Sequence, residues 1–253
     1  RQGQAIAYDL ALNGNAISID LIDIELTISE DSASRLNKLI NKNIIFPKQV
    51  DVANKQDLRE NLTNYDTVIS AVPYFLNETI TEIALEKKIN LIDLGGNTEI
   101  VRNQLSKNKD AEKSNIAITP DCGMGPGMNI TLSLLVMEQF DNPSSIKIYD
   151  GGLPQKPKTP WKYNLFFNIN GLTNEYDGSA TFIRNSELTE VECFEDIELL
   201  EFDKYGNLEA AVTSGGLSTM PWTFTTDAAD DRAEIEEAGT DDSFSGADDF
   251  EAD

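Results

Sequence analysis

Between residues 16 and 119 the apolar residues switch back and forth between two spacings, and this rhythm limits the fold more than any other feature. AISIDLID (residues 16–23) alternates and is rich in β-branched side chains, as a half-buried strand requires. Residues 29–41 then carry Leu36, Leu39 and Ile40 at helical spacing behind Ser and Asp capping residues. The rhythm repeats with strands predicted at 44–52, 67–72, 89–94 and 116–119 and helices at 55–62 and 77–88. Strands that alternate with helices over such short intervals imply βαβ units, hence a doubly wound parallel sheet.

The pattern changes after Asp121. Pro126 stands where a first helical turn tolerates it, and the apolar run 130–140 predicts a helix. Short alternating segments follow at 145–149, 163–169, 180–183, 187–192, 198–202 and 207–213, separated by turn residues such as Asn185 and Gly206-Asn207. They predict a mainly antiparallel sheet. The expected organisation is therefore an α/β chain in three parts: a Rossmann-like domain over 1–122, an α+β domain over 123–226, and a tail over 227–253. The tail holds 12 of the 44 acidic residues and one base, Arg232. With so few apolar anchors it is expected to be disordered.

Composition removes several kinds of chemistry. The chain has no histidine, so Ser/His/Asp catalysis is excluded and the commonest zinc ligand is missing. Two cysteines, Cys122 and Cys193, make neither a disulfide framework nor a metal cage, and no metal is expected; Cys122 is expected as a small buried thiol. A formal charge of -24 argues against nucleic acid as a partner. No apolar run is long enough to span a membrane, and the start lacks the apolar core of a signal peptide, so a cytoplasmic protein is the default expectation.

The ends of the predicted strands carry the candidate chemistry, because open α/β sheets bind ligands beyond the carboxyl ends of their strands. Gly3 opens an apolar helical stretch, and Asp23 ends the next strand 20 residues later. That is the spacing between the last glycine of a dinucleotide fingerprint and the carboxylate that accepts the adenosine ribose hydroxyls. Asp51 and Val52 follow the next strand and suit the adenine side, or a turn before the Asn54 cap. Ala71, Val72 and Pro73 end the strand after that; small side chains there would let the nicotinamide ribose lie on the backbone, while Pro73 also suits a plain helix entry. Asp93 and Asp121 end the last two strands. Each could accept a proton from a substrate amine, and each could equally cap the helix that follows. Asp150, before Gly151-Gly152, is a third carboxylate of this kind.

Several of these segments, taken in order, resemble the saccharopine dehydrogenase-like family. They are Arg1-Gln2-Gly3-Gln4-Ala5-Ile6-Ala7 with Asp23, Ala71-Val72-Pro73-Tyr74-Phe75-Leu76-Asn77, and Asp93-Leu94-Gly95-Gly96-Asn97-Thr98. Pro120-Asp121-Cys122-Gly123-Met124-Gly125-Pro126-Gly127, Gly151-Gly152-Leu153-Pro154-Gln155 and Gly215-Gly216-Leu217-Ser218-Thr219-Met220-Pro221 complete the set. Within that family the chain is most similar to the lysine 6-dehydrogenase branch; a saccharopine or carboxynorspermidine-type dehydrogenase, or a non-catalytic dimerising relic of the family, are the alternatives. The resemblance covers residues 1 to about 224 and implies NAD-dependent oxidation of an amino group on an amino acid, by a homodimer or higher homo-oligomer. It implies that Arg1, Gln2 and Gly3 approach the cofactor with Asp23, Asp51, Val52 and Ala71 to Pro73. Tyr74, Asn97, Lys162 and Tyr163 would contact the substrate, and Asp93, Asp121 or Asp150 would handle its proton. Family members open with a strand and Gly-Ala-Gly ahead of the position of Arg1, and they continue past the Gly-Gly-Leu-Ser-Thr segment into a basic stretch. The acidic tail stands in that place here.

Overall fold

In the computed structural model residues 2–141, 143–152, 154, 156, 158, 169–227 and 234–240 are described. The chain divides into two compact units, one made of residues 1–93 and 103–120 and the other of 94–102 and 121–253. The sequence places the change of pattern near Gly123. The structure in addition assigns 94–102 to the second unit.

The first unit runs α1 (Gln2–Leu12), β1 (Ile19–Asp23), α2 (Leu26–Ile40), β2 (Ile45–Gln49), α3 (Lys55–Asn61) and β3 (Thr67–Ser70). A 3-10 turn (Tyr74–Leu76) leads into α4 (Asn77–Lys87) and β4 (Asn90–Asp93). α5 (Thr98–Leu105) follows, then α6 (Asn108–Ser114) and β5 (Ile118–Thr119). All pairings in this unit are parallel. β1 pairs with β2 from Ile19↔Ile45 to Asp23↔Gln49, β3 with β4, and β4 with β5. The ladders form two sheets, β1-β2 and β3-β4-β5. Ile22 of β1 nevertheless packs into the same cluster as Val68, Val72, Ile83 and Leu91, so the two sheets share apolar packing.

Local chemistry sets the boundaries. Asn54 caps α3 by accepting the Gln56 and Asp57 backbone N–H groups at 3.1 and 3.2 Å, satisfying donors that the helix itself leaves open. α2, α4 and α6 stop at Asn41, Lys88 and Asn115, each left-handed, with φ of 52°, 57° and 55°. Ala7 and Ala11, one helical turn apart, are buried with Ala33 and Leu36 of α2, and their small size is what lets α1 sit against α2. α5 and α6 are helices that the apolar pattern did not announce.

The second unit contains α7 (Met128–Met137), β6 (Ser145–Asp150), α8 (Ile169–Glu175), β7 (Ser179–Arg184), β8 (Glu187–Glu192), β9 (Glu198–Phe202), β10 (Gly206–Val212), α9 (Met220–Asp227) and β11 (Glu234–Thr240). Its six-stranded sheet has the order β8-β7-β11-β10-β9, with β6 on β11. The β7–β8, β9–β10, β10–β11 and β7–β11 pairings are antiparallel, and β6–β11 is parallel. Its core is built from Ile148, Phe182, Ile183, Val191, Val212, Leu217 and Met220, with Ile130 and Met137 of α7 packed against it.

Two expectations need correction here. Within the tail expected to be disordered over 227–253, residues 234–240 form a strand: their backbone lies in register with β6 from Glu234↔Ser145 to Gly239↔Asp150 and also pairs with β7 and β10, while 228–233 and 241–253 lie outside the described residues. Backbone pairing does not depend on apolar side chains, so a compositional reading misses it. Ile169, expected to end a strand, begins α8; the rest of that expected strand lies outside the described residues. Among the described residues no helix is long and apolar enough to cross a membrane.

Candidate active site

In the first unit the strand ends collect the residues singled out for the cofactor. The Val50 N–H donates to the Asp23 carbonyl at 3.1 Å, which extends the β1–β2 ladder and sets Asp23 beside the start of the 50–54 turn. Asp23 is half-buried. Its Oδ1 accepts the Glu25 N–H at 3.1 Å, and Oδ2 has no protein partner among the described residues. Asp51 caps its own turn by accepting the Ala53 N–H at 3.0 Å, while the Asp51 N–H donates to Asp57 Oδ2 at 2.8 Å. Val52 packs on the Val50–Leu58 cluster.

Gly3, in the first turn of α1, lies so close to the end of β3 that a methyl group built on it would meet the Ala71 Cβ at 3.8 Å. Ala71, Val72 and Pro73 are each half-buried. Pro73, with φ −54° and ψ 137°, leads directly into the Tyr74–Leu76 turn. Tyr74 stands edge-on to Phe75, with ring centroids 5.8 Å apart. The N-terminus of α1, whose backbone donors point out of the helix, the Asp23 carboxylate and the small residues ending β3 are the parts a dinucleotide needs. Gln2 is exposed at that end; Arg1 lies outside the described residues.

Asp93 has a different setting. It is fully buried, and its Oδ2 accepts a hydrogen bond from Gln104 Nε2 at 2.6 Å; Gln104 also donates to Thr81 Oγ1 at 3.0 Å. Thr81 in turn donates to the Asn77 carbonyl, and Ser70 Oγ donates to Asn77 Oδ1, so one polar network runs beneath the ends of β3 and β4. The helix after Asp93 is capped by Asn97, whose Oδ1 accepts the Ile100 N–H at 3.2 Å. The capping alternative for Asp93 is thereby taken by Asn97.

In the second unit three loops meet. Asn97 Nδ2 donates to Asn174 Oδ1 at 3.3 Å, Asn174 Nδ2 donates to the Gly96 carbonyl at 2.9 Å, and Ser214 Oγ donates to the Asn174 carbonyl. Asp121, left-handed at φ 59°, accepts a hydrogen bond from Ser218 Oγ. A side chain at Gly95 (φ 72°) would collide with the Asp121 carboxylate, so this site needs glycine on both conformational and steric grounds. Gly127, at φ 134°, is held just as tightly: a Cβ there would come 2.5 Å from the Gly123 carbonyl. Cys122, expected to be buried, is exposed, because it belongs to this loop and not to a core.

Asp150 ends β6 with its carboxylate against the backbone of Gly125, where a Cβ would stand 2.5 Å from Oδ2. Burial pushes its carboxyl above the usual range, and the Gly151 N–H offsets part of that rise. The sequence did not single out Glu175, at the end of α8. Its carboxyl is pushed up to about 7, by burial first and by the Asp150 charge second. Asp150 and Glu175 are thus coupled acids, one of them poised near neutrality. Lys162 and Tyr163 lie outside the described residues. Among the described residues no cluster of three or more His, Cys, Asp or Glu could hold a metal.

With this geometry in place, residues 1–121 match the family model of the saccharopine dehydrogenase NADP binding domain. The mitochondrial alpha-aminoadipic semialdehyde synthase of Rattus norvegicus is 24% identical over 179 residues, or 67% of this chain and 19% of the synthase. Saccharopine dehydrogenase [NADP(+), L-glutamate-forming] of Pyricularia oryzae is 22% identical over 151 residues, 57% of this chain and 33% of that enzyme. The fold is that of the L-glutamate-forming saccharopine dehydrogenase of Saccharomyces cerevisiae, with a TM-score of 0.70 at 17% identity, covering 96% of this chain and 53% of the yeast chain. The chain thus spans about half or less of the length of each of these three proteins.

Proposed function

We propose that this chain carries the nucleotide-binding domain and part of the substrate-binding domain of a dehydrogenase that oxidises a carbon–nitrogen bond of an amino acid, of the saccharopine dehydrogenase type. The observation that carries this reading is the joint placement of the α1 N-terminus, Gly3 against Ala71, and Asp23 at the end of β1, in a segment that matches the family model. NAD is the cofactor this geometry favours. The Asp23 carboxylate, with one oxygen left open by the Glu25 N–H, suits the ribose hydroxyls and would repel a 2′-phosphate, and neither Ile24 nor Glu25 supplies a compensating cation.

The bound nicotinamide would accept hydride, and the protein supplies position and proton handling. The substrate nitrogen must be neutral before its carbon can release hydride, yet an alkyl ammonium has a pKa near 10.4. Asp150 and Glu175 suit this task, since a carboxyl poised near 7 can take a proton at neutral pH and pass it on. The substrate C–H bond breaks with its electron pair leaving as hydride, and the nitrogen lone pair forms a C=N bond. Water then adds to that carbon and the C–N bond breaks, leaving an aldehyde and an amine. Asp93, buried on Gln104, serves this reading by fixing the β4 end, and Asp121 by fixing the Ser218 loop.

The names of the relatives favour saccharopine over L-lysine as the amine, and a single assay separates the two. The full-length protein is given saccharopine or L-lysine with NAD or NADP, and reduced cofactor is followed by fluorescence. Saccharopine-dependent NADH formation, rising with pH as the free amine grows, is expected; reduction with neither amine would overturn the reading.

A further inference from the structure

Ser70 and Asp93 are register partners at the end of the β3–β4 ladder, so their side chains stand next to each other on one face of the sheet. Both are buried, at 4% and 0% exposure. Ser70 Oγ donates to Asn77 Oδ1 at 2.7 Å, and Thr81 Oγ1 donates to the Asn77 carbonyl at 2.7 Å. Gln104 Nε2 donates to Thr81 Oγ1 at 3.0 Å and to Asp93 Oδ2 at 2.6 Å. With the ladder itself as the last side, these buried residues close a ring through β3, the first two turns of α4, the end of α5 and β4.

The ring has one consistent set of donors. Thr81 gives its hydrogen to Asn77, so its oxygen can only accept, and Gln104 must turn its amide nitrogen toward both Thr81 and Asp93. Gln104 Oε1 is then left buried with no hydrogen-bond partner among the described residues, a cost that an apolar side chain would avoid. What the ring provides is a fixed place for the peptide that follows Ser70. Ala71, Val72 and Pro73 are half-buried and have no polar side chains, so they can meet a ligand only through backbone groups and small apolar surfaces. The parts of the first unit suited to the adenosine half have separate anchors. α1 is held on α2 through Ala7, Ala11, Ala33 and Leu36, and Asp23 is held by the β1–β2 ladder and by the Val50 and Glu25 N–H groups. Gly3, with no side chain, leaves a gap to Ala71, since a methyl group built on it would reach only van der Waals contact at 3.8 Å. A small shift at the β3 end therefore leaves the adenosine side in place.

We propose that Ser70, Asn77, Thr81 and Gln104 are positioning residues, which hold Ala71 to Pro73 where they receive the nicotinamide half of the dinucleotide. The inference rests on the proposed function for the identity of the ligand. Its test uses the full-length protein with NADH and with ADP-ribose, which lacks the nicotinamide; if NADPH binds more tightly than NADH, NADPH and 2′-phospho-ADP-ribose replace them. Ser70→Ala should weaken NADH binding about fivefold, the effect expected of one hydrogen bond, and leave ADP-ribose within about twofold of the parent. The emission of NADH bound at saturation should move toward that of the free cofactor, a signature of the ring's surroundings that a general loss of stability does not produce. Thr81→Val opens the same ring at another point and should give the same pattern, so the double variant should lose little more than either single one. Circular dichroism checks that each variant is folded, and if Ser70→Ala is not, Thr81→Val carries the same comparison. Equal losses for NADH and ADP-ribose in a folded variant, no loss for NADH, or additive losses in the double variant overturn the assignment. Binding of neither ligand by the parent removes the proposed function and this inference with it. Binding of both with no oxidation of saccharopine or lysine, and with the expected pattern in the variants, keeps the positioning role and removes only the substrate.

Discussion

Asp23 has one oxygen engaged by the Glu25 N–H and the other available at the end of β1, and this division suits it to discriminate between cofactors. Removing the carboxylate by Asp23→Ala should weaken NAD binding about tenfold and bring NAD and NADP close to parity, read as dissociation constants by fluorescence titration. An unchanged preference would mean that another group selects the cofactor. Glu175 gives a different kind of prediction. Its carboxyl is raised from the ordinary 4.5 to about 7, so the fold favours its neutral form. The resulting stabilisation is fully present below about pH 4.5 and is lost as pH rises through 7. Glu175→Gln keeps the shape without the charge. The variant should match the parent near pH 4.5 and be more stable at pH 8, by about 1–2 kcal/mol once solvent screening is allowed for. Denaturant titrations at the two pH values check this, and an equal difference at both would rule out the buried charge as its source. That Asp23 ends β1, twenty residues after Gly3, was legible in the sequence. Glu175 was not, because burial and the Asp150 charge reach it from elsewhere in the chain and nothing in its neighbours Asn174 and Tyr176 announces them.

At the level of elements, α2 and α4 were readable because each buries a periodic apolar face, Leu36 and Ile40 on α2 and Ile80, Ile83 and Ala84 on α4. α5 and α6 were missed. α6 (NKDAEKS) buries only Ala111, so it has no stripe to read, and α5 is short and held by Gln104 through a polar side chain as well as by the buried Val101. β11 was hidden for the reason already given, its acidic composition. Its place between ladders makes it testable. Ala238 pairs with Tyr149 of β6 on one side and with Val212 of β10 on the other, so Ala238→Pro removes an N–H within the sheet. A loss of roughly 1–3 kcal/mol per ladder bond broken is expected from chemical unfolding. Limited proteolysis of the parent should spare residues 234–240, and rapid cleavage there would show that the strand is not held.

Over the whole molecule the formal charge of -24 is the dominant long-range term. Like charges repel most in the compact state, so screening should favour folding. Raising ionic strength from 0.01 M to 0.1 M shortens the Debye length from about 30 Å to about 10 Å. The midpoint of thermal unfolding should rise by a few degrees, and a fall would mean that attractive pairs such as Arg59–Glu86 and Lys147–Glu198 outweigh the net repulsion.

The order β8-β7-β11-β10-β9, with β6 on β11, has a consequence for the way this protein is made. Every other strand of that sheet precedes β11 in the chain, yet β11 is the strand that connects them. During synthesis the hairpins β7–β8 and β9–β10 can form as soon as they leave the ribosome, whereas β6 must wait for a partner more than 80 residues downstream. Translation therefore sets the time at which the sheet closes, and the nascent second unit is exposed to chaperones and proteases until residue 240 has emerged. Chains stalled before residue 234 should be cut by a brief protease pulse under conditions in which chains stalled well beyond residue 240 resist it.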